Sequence, residues 1–326
     1  MMHEAYDFLI VGQGLAGTIL SHTLIERGYS VKIIDNQFKG SSSIVAAGII
    51  NPFTGPRLNL TQNFFEKFTK AKSFYLDIEK KLDVSLFHSI RQKRFLSTPT
   101  QYKYYLKRAQ AFPKSFEFIS KEKIHIHDTA CINVKRFLKM SRDHFNKQSI
   151  LDNEHFNYSQ LQFHKNKLSY KDSSFKCLIF CEGYQNIHNP FFKHDLFQLS
   201  KGSIMNIEVL GLKKSLYNWG HWLSPDFNTS FRFFLGSSYH WDINHEPKSS
   251  EEYEAFISKL PLSLKNKTFV IKEHHTGIRP TTLNRQTLIQ ASTQDSRLWI
   301  FNGFGSKGCL EIPHHAEKFA NSFDKK

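Results

Sequence analysis

Apolar positions near the start of the chain follow two different spacings, and together they predict a β-α-β unit. Residues 6–11 (YDFLIV) are almost wholly apolar and rich in strand formers, as expected for a strand buried on both faces of a parallel sheet. Residues 15–26 have helical character and are followed by Arg27 and Gly28, a basic residue and a glycine that suit a helix C-terminus. Residues 30–34 (SVKII) then predict a second strand.

A glycine-rich turn with the pattern G-x-G-x-x-G joins the first strand to the helix. Gly12 permits the tight turn, Gly14 lets the backbone approach a pyrophosphate, and Gly17 lets helix and strand pack closely. Asp35 ends the second strand 23 residues after Gly12, near the spacing expected for a ribose-binding carboxylate. A glycine turn alone also fits ordinary packing, but here strand, turn, helix, strand and acid are in register. The unit therefore predicts dinucleotide binding.

Further small-residue motifs follow along the chain. Small residues let a backbone lie against a flat ring, and serines can donate hydrogen bonds to phosphate oxygens. The motifs are GSSS at 40–43, AAGIINP at 46–52, an apolar strand at 175–181 that ends in Glu182 and Gly183, GIRPT at 277–281, and NGFGSKG at 302–308 between a strand at 298–301 and a helix from about 313 to 323.

In this order and spacing the motifs resemble the FAD-dependent amine and amino-acid oxidase superfamily, which includes D-amino-acid oxidase, glycine oxidase and sarcosine oxidase. The resemblance covers about residues 5–57, 175–205 and 275–320. It implies an α/β fold, α+β overall, in which a substrate domain of mixed β-sheet and helices is inserted into a Rossmann-like FAD-binding domain. The implied segments are 1–57, 140–203 and 273–326 for the FAD-binding domain, and 58–139 and 204–272 for the substrate domain.

Carried over residue by residue, the resemblance implies which positions hold the cofactor. The glycine turn would bind the pyrophosphate, Asp35 the adenosine ribose, the segment 42–49 the ribityl chain and ring, and the loop 303–308 the pyrimidine edge of the flavin. Gly183 would lie near the phosphates or the adenine. The implied FAD-binding residues are Gly12, Gly14, Leu15, Ala16, Gly17, Asp35, Asn36, Ser42, Ser43, Ala47, Gly48, Ile49, Gly183, Gly303, Gly305, Ser306, Lys307 and Gly308.

The resemblance also implies catalytic roles and the mode of flavin attachment. Arg279 matches the arginine that binds a substrate carboxylate in family members, with a structural ion pair as its alternative role. Lys307 is the candidate for stabilising negative charge near flavin N1 and C2=O, with an ordinary exposed loop lysine as the alternative. Thr281 and Thr282 stand where sarcosine oxidases attach the flavin to a cysteine, so we expect non-covalent FAD.

The implied function is oxidation of the C–N bond of a small amine or amino acid, by hydride transfer to flavin N5 with dioxygen as acceptor. The superfamily also contains a tRNA oxidase that cleaves a carboxymethylamino group from a modified nucleoside, and this is one alternative function. A catalytically inactive FAD-binding protein is the other alternative. The sequence assigns no oligomeric state.

An excess of positive charge bears on the tRNA alternative. The chain carries 44 Lys and Arg against 29 Asp and Glu, a net charge of +15, and residues 57–123 alone carry +9. Aromatic residues are interleaved with basic ones there, a pattern used by nucleic-acid surfaces. The same pattern fits solvated helix faces with apolar undersides. The interleaved residues are Phe95, Tyr102, Tyr104 and Tyr105 beside Arg91, Lys93, Arg94, Lys103, Lys107 and Arg108.

Cysteine and hydropathy patterns predict a cytoplasmic protein with no membrane partner. Four cysteines in a chain of 326 residues suggest a reducing compartment, and Cys177 and Cys181 fit buried apolar positions better than a redox pair. No apolar run approaches the roughly 18 residues that cross a bilayer, and the N-terminus has no basic signal-peptide region. His125 and His127 share a face of a predicted strand but have no third partner, so no metal site is assigned.

Helical and alternating patterns predict the elements between these motifs. The spacing predicts a helix over 63–82 with a capping box formed by Asn63 and Glu66, and an apolar stripe that includes Phe65. Ser249 is expected to cap another helix, and residues 203–209, 217–223 and 229–236 are expected to be strands.

Overall fold

The computed structural model describes residues 4–37, 40–193 and 196–323. Its helices are α1 (Leu15–Glu26), α2 (Phe64–Leu82), α3 (Pro99–Ala111), α4 (Val134–Lys147), α5 (Ser249–Ile257), α6 (Leu262–Lys265) and α7 (Gly308–Asn321). Its strands up to residue 170 are β1 (Glu4–Val11), β2 (Val31–Ile34), β3 (Ile49–Ile50), β4 (Phe53–Thr54), β5 (Asn59–Leu60), β6 (Phe87–Ser89), β7 (Gln92–Phe95), β8 (Phe116–Ser120), β9 (Lys123–Ile126), β10 (Ala130–Ile132), β11 (Leu151–Asp152), β12 (Leu161–Phe163) and β13 (Leu168–Tyr170). The later strands are β14 (Ser173–Phe180), β15 (Phe197–Glu208), β16 (Leu216–Asn218), β17 (Trp222–Pro225), β18 (Arg232–Gly236), β19 (Val270–Thr282), β20 (Leu288–Ala291) and β21 (Leu298–Asn302).

The predicted β-α-β unit forms the centre of a twisted parallel sheet. Strands β11, β2, β1 and β14 run side by side and parallel, and β21 continues the parallel pairing along the end of β14. Strands β12 and β13 add an antiparallel edge. The central strands are buried because helices and loops cover both sheet faces, so they are nearly continuous apolar runs. The predicted α/β class with a Rossmann-like unit is confirmed.

A second, mixed sheet has the strand order β19, β15, β18, β17, β16, β7, β9, β8. Its longest pair joins β15 to β19 from Phe197 opposite Thr282 to Glu208 opposite Val270. The domain division predicted from the sequence has boundaries at 203 and 273, which lie inside these two strands, and at 140, which lies inside α4. That division stays a prediction.

The N-terminal cap and the buried face predicted for helix α2 are both wrong at its first residues. Asn63 is the N-cap residue with φ 52°, but its side chain makes no capping hydrogen bond, so the predicted capping box does not form. The buried face includes Phe64, Tyr75 and Ile78, whereas Phe65 is 42% exposed. The apolar stripe is therefore shifted by one residue at its start, because Phe64 rather than Phe65 packs on the core.

Three other element predictions were wrong in detail. Residues 217–223 form a hairpin rather than one strand, because Gly220 adopts φ +116° between β16 and β17. Ser249 is the first residue of α5, and Lys248 takes the N-cap position without a side-chain bond. Helix α7 begins at Gly308, five residues before the expected start, with Pro313 inside the helix.

The basic segment 57–123 is only partly a surface feature. Tyr105 packs in a small core with Phe116, and Arg94 is 6% exposed. Lys103 and Lys107 on α3 are exposed. The helix thus has an aromatic underside and a solvated basic face, and tRNA binding by it stays a prediction.

The other sequence predictions away from the main motifs can be located directly. His125 Nδ1 donates a hydrogen bond to the Glu117 carboxylate at 3.1 Å, and the described residues contain no group of three metal-ligating side chains. Cys177 and Cys181 are buried free thiols. No helix in the part of the chain that the structure covers is long and apolar enough to span a membrane.

The fold predicts a large stability difference between two leucines. Leu178 is fully buried on the central strand β14, so we expect Leu178→Ala to lower the free energy of unfolding by roughly 3 kcal/mol through lost transfer energy and a residual cavity. Leu262 is 78% exposed, and Leu262→Ala should change it by less than about 0.5 kcal/mol. Denaturant unfolding curves measure both, and equal effects would contradict the placement of β14 in the core.

Candidate active site

A cavity of about 1040 Å³ lies where the carboxyl ends of β1 and β2 and the start of α1 meet the second sheet. Every site residue predicted from the sequence lines this cavity except Gly17 and Gly303. The lining positions come from six separate stretches of sequence, so the fold brings the predicted motifs together. They are Gly12, Gly14, Leu15, Ala16, Asp35, Asn36, Ser42, Ser43, Ala47, Gly48, Ile49, Gly183, Arg279, Gly305, Ser306, Lys307 and Gly308.

The two exceptions shape the backbone behind the cavity. An ideal Cβ on Gly17 would lie 1.8 Å from the carbonyl oxygen of Gly12, so only glycine lets α1 start this close to the turn. Gly303 has φ +77°, and a Cβ there would lie 2.8 Å from the Thr282 Cγ2 atom. Both glycines therefore position loops that line the cavity without lining it themselves.

The serine-rich loop lies between α1 and β19. The Leu15 backbone N–H donates to Ser43 Oγ at 3.1 Å, and Ser41 forms a bridge with Ile278. Gly277 makes this approach possible, because a Cβ there would lie 2.7 Å from Val45 Cγ2. The loop is thus held against the helix N-terminus on one side and against the GIRPT strand on the other.

Asp35 is engaged with the protein itself at the predicted ribose position. Its carboxylate accepts hydrogen bonds from the backbone N–H groups of Gln13 at 2.8 Å and Gln37 at 2.9 Å, and it pairs with the Arg142 guanidinium at 2.8 Å. Arg142 also donates to the Gln13 side-chain oxygen at 2.6 Å. Sequence reasoning missed Gln13 and Arg142, because the first is a variable position of the turn and the second lies where no motif was matched.

Glu182 is a second buried carboxylate beside the cavity. It accepts hydrogen bonds from the Tyr158 hydroxyl at 2.5 Å and from the Asn186 and Asn189 amides at 2.9 Å. Burial raises the pKa of Glu182 and outweighs these hydrogen bonds, which lower it. The carboxylate therefore fixes the 3-10 turn Gly183–His188 against the cavity wall.

Arg279 presents a partly buried guanidinium in the cavity wall. Its Nη1 donates to the Ser238 carbonyl oxygen at 3.4 Å, and its Cζ lies 5.8 Å from the centre of the Tyr239 ring. Burial lowers the pKa of Arg279, and no carboxylate of the described residues forms an ion pair with it. The predicted alternative role, a structural ion pair, is thus not formed within that part of the chain.

Gly202 makes room for this guanidinium, and sequence reasoning missed it. An ideal Cβ on Gly202 would lie 2.4 Å from Arg279 Nη1 and 2.6 Å from the Ser238 oxygen. Gly202 stands opposite Gly277 in the β15 and β19 pair. Neither glycine alone is a recognisable motif, because its role comes from the pairing of two distant strands.

Lys307 is half-buried in the 3-10 turn that precedes α7. Burial lowers the pKa of its ammonium group, Glu311 acts to raise it, and Lys67 acts to lower it. Lys67 and Glu311 form an ion pair with 2.7 Å between Nζ and Oε2. Lys307 therefore lies in the cavity wall next to the Lys67–Glu311 ion pair, and it is not a fully exposed loop lysine.

Comparisons with a family model and with solved structures show which proteins this chain is similar to. The family model described as FAD dependent oxidoreductase (DAO) matches residues 7–322. The chain is similar to a glycine oxidase from Bacillus cereus at 17% identity and TM-score 0.77, covering 97% of this chain and 94% of that one. It is similar to an iminodiacetate oxidase from Chelativorans at 17% identity and TM-score 0.75, covering 96% and 94%. An L-proline dehydrogenase from P. horikoshii matches at 13% identity and TM-score 0.75, covering 98% and 94%. At these identities the likeness to the solved structures concerns the fold.

Alanine at Gly14 and alanine at Gly17, the second and third glycines of the motif, are expected to have different effects. Gly17→Ala forces a Cβ into the Gly12 carbonyl, so the apoprotein should lose at least about 2 kcal/mol of unfolding free energy. Gly14 has φ −76°, and a Cβ there meets only the movable Ser43 hydroxyl at 3.1 Å. Gly14→Ala should therefore leave apoprotein stability nearly unchanged while weakening FAD binding at least tenfold, because it blocks approach of the pyrophosphate. Thermal unfolding of the apoprotein and FAD titration separate the two effects, and an unchanged FAD affinity in Gly14→Ala would contradict the phosphate site.

Proposed function

Because this chain belongs to the family of FAD-dependent oxidoreductases, we propose that it oxidises the C–N bond of an amine or amino acid that carries a carboxylate. The observation that carries this proposal is the partly buried Arg279 guanidinium in the cavity wall, which has no carboxylate partner among the described residues. A buried cation of this kind is stabilised by an anionic ligand, and a planar guanidinium binds a carboxylate through two parallel hydrogen bonds.

The cavity fits FAD by its size and its backbone donors. Its lining includes Asp35, the glycine turn and the loop 305–308, and the N-terminus of α1 directs backbone N–H groups and a positive dipole toward the turn. Gly12, Gly14 and the small residues of the 41–48 loop leave the close backbone approach that a pyrophosphate and a flat ring need. We propose the predicted site residues as the FAD contacts on this basis.

Non-covalent attachment is part of the proposal. Cys181 and Cys309 line the cavity, but burial raises the pKa of Cys309 to about 12 and raises the pKa of Cys181 well above its usual range. Thiolates are the reactive form of cysteine, so neither residue is suited to form a flavin thioether at neutral pH. This agrees with the threonines that stand after the GIRP motif.

The reaction needs orientation and charge from the protein. FAD supplies hydride acceptance at N5 when it is bound. Arg279 holds the substrate carboxylate, so the substrate's C–H bond is fixed in one orientation. Gly202 has no side chain, so the Arg279 guanidinium can lie against its backbone. Lys307 places positive charge at the part of the wall where the flavin pyrimidine edge is expected. We assign dioxygen as the electron acceptor within the same proposal.

The neighbours in structure are compatible with this substrate class. The printed names of two of them are glycine oxidase and iminodiacetate oxidase, both of which denote small amino acids with a carboxylate. We propose a small-molecule substrate of the same chemical class and a cytoplasmic site of action for this chain.

Carboxylate binding can be tested at Arg279 and at Gly202. Arg279→Met removes two charge-assisted hydrogen bonds and should raise KM for an amino-acid substrate about 100-fold, while FAD content stays unchanged. Gly202→Ala displaces the guanidinium by steric overlap and should raise KM at least tenfold. Peroxide release against glycine, sarcosine and D-amino acids measures both. An unchanged KM in Arg279→Met would show that the carboxylate binds elsewhere.

The attachment of the flavin can be tested by denaturation. Protein purified and reconstituted with FAD should show the absorbance of an oxidised flavin, and acid or heat should release all of that flavin into the supernatant. Cys309→Ser should release it equally, because Cys309 is not expected to bond to it. Flavin that stays with the precipitated wild-type protein and not with the variant would contradict non-covalent binding.

A further inference from the structure

Five residues form a registered row across the second sheet, and the row ends at a buried arginine, Arg94. Ile204 pairs with Gly236, Gly236 with Trp222, Trp222 with Asn218, and Asn218 with Arg94. Residues directly opposite one another share a face of a sheet. Ile204, Trp222 and Asn218 line the same cavity as Arg279. Arg94 therefore lies at the far end of the cavity-facing row.

Arg94 is a buried cation without an anion among the described residues. Its side chain is 6% exposed, burial alone lowers its pKa to about 10, and no carboxylate pairs with it in that part of the chain. Nη2 donates to the Gly55 carbonyl at 3.2 Å, Nη1 donates to Asn218, and Nε is buried without a partner. Leaving such a charge uncompensated is costly in a protein interior, so the site favours an anion nearby.

Asn218 stands between this charge and the cavity. Its Oδ1 accepts hydrogen bonds from Arg94 and from the Gly220 backbone N–H at 3.3 Å. These two contacts fix the amide orientation and leave Nδ2 as a donor on a residue that lines the cavity. A guanidinium behind the amide strengthens that donor. The far end of the cavity thus offers N–H groups backed by positive charge.

We propose that Asn218, backed by Arg94, binds a second carboxylate of the substrate, so that the enzyme prefers amino acids or amines with two carboxylates. This inference rests on the proposed function, in which Arg279 binds the first carboxylate. The apolar side chains of Ile204 and Trp222 lie between the two polar ends and would contact the methylene groups of the ligand.

The distance between the ends favours a ligand with a chain between its carboxylates. Gly202, beneath the Arg279 guanidinium, lies on β15, and Asn218 lies three strands away on β16. At about 4.8 Å per strand the backbones are roughly 14 Å apart, and the side chains that reach in from both ends shorten this span. The preference for a second carboxylate should therefore be larger for glutarate and adipate than for malonate.

The experiment compares matched carboxylic acids as ligands of the FAD-loaded enzyme. Flavin absorbance is titrated with glutarate against butyrate, and with adipate against valerate, to give Kd values that need no turnover. The dicarboxylate of each pair is expected to bind at least tenfold more tightly. Asn218→Asp pairs the new carboxylate with Arg94 and repels the second carboxylate of the ligand. The Kd of the monocarboxylate divided by the Kd of the dicarboxylate should therefore fall from at least 10 to about 1 or below.

Controls and contrary outcomes separate this inference from the proposed function. Asn244→Asp makes the same charge change at an exposed position and should keep the wild-type ratio. If Asn218→Asp does not fold, Asn218→Ala replaces it with the same expectation. The second subsite is wrong if the wild type binds both acids of a pair with equal Kd, or if the Asn218 variants leave the ratio of the two Kd values unchanged. The proposed function still stands in that case, provided that butyrate binding depends on Arg279. If no carboxylate binds, or Arg279→Met changes nothing, both proposals fail.

Discussion

A guanidinium withdrawn from water without an anion favours surroundings or a ligand that compensate its charge, and the partly buried Arg279 places this constraint in the cavity wall. The carbonyl of Ser238 and the ring of Tyr239 are its contacts, and neither carries a full negative charge. The position follows from the long pairing of β15 with β19, which sets Gly202 under the guanidinium and Gly277 against the serine loop. The same strand pair therefore fixes the expected cofactor loop and the expected substrate anchor relative to each other.

The positive charge of the chain has two distinct locations. Lys103 and Lys107 are exposed on α3, where solvent screens them. Arg279 is partly buried in the cavity wall, and Arg94 is buried behind the cavity-lining Asn218, so the lower dielectric strengthens their attraction for an anion. Part of the positive charge that the sequence pattern placed on a surface therefore lies in or next to the candidate active site.

The sequence could predict those parts of the site whose determinants are local. Gly12, Gly14, Gly17 and Asp35 lie within one β-α-β unit, and the turn, the helix start and the acid have fixed spacings. Gly202 and Asn218 could not be predicted, because their roles depend on the register between strands far apart in the chain. The predicted capping box at Asn63 failed for a related reason: the core selected Phe64, and its packing overrode the local hydrogen-bond pattern.

A crystal structure of the FAD-bound enzyme with glutarate would show directly where the ligand carboxylates bind. We predict one carboxylate within about 3 Å of the Arg279 Nη atoms, on the cavity side of Gly202. A structure in which Arg279 pairs with a protein carboxylate, with the ligand bound away from it, would contradict the account.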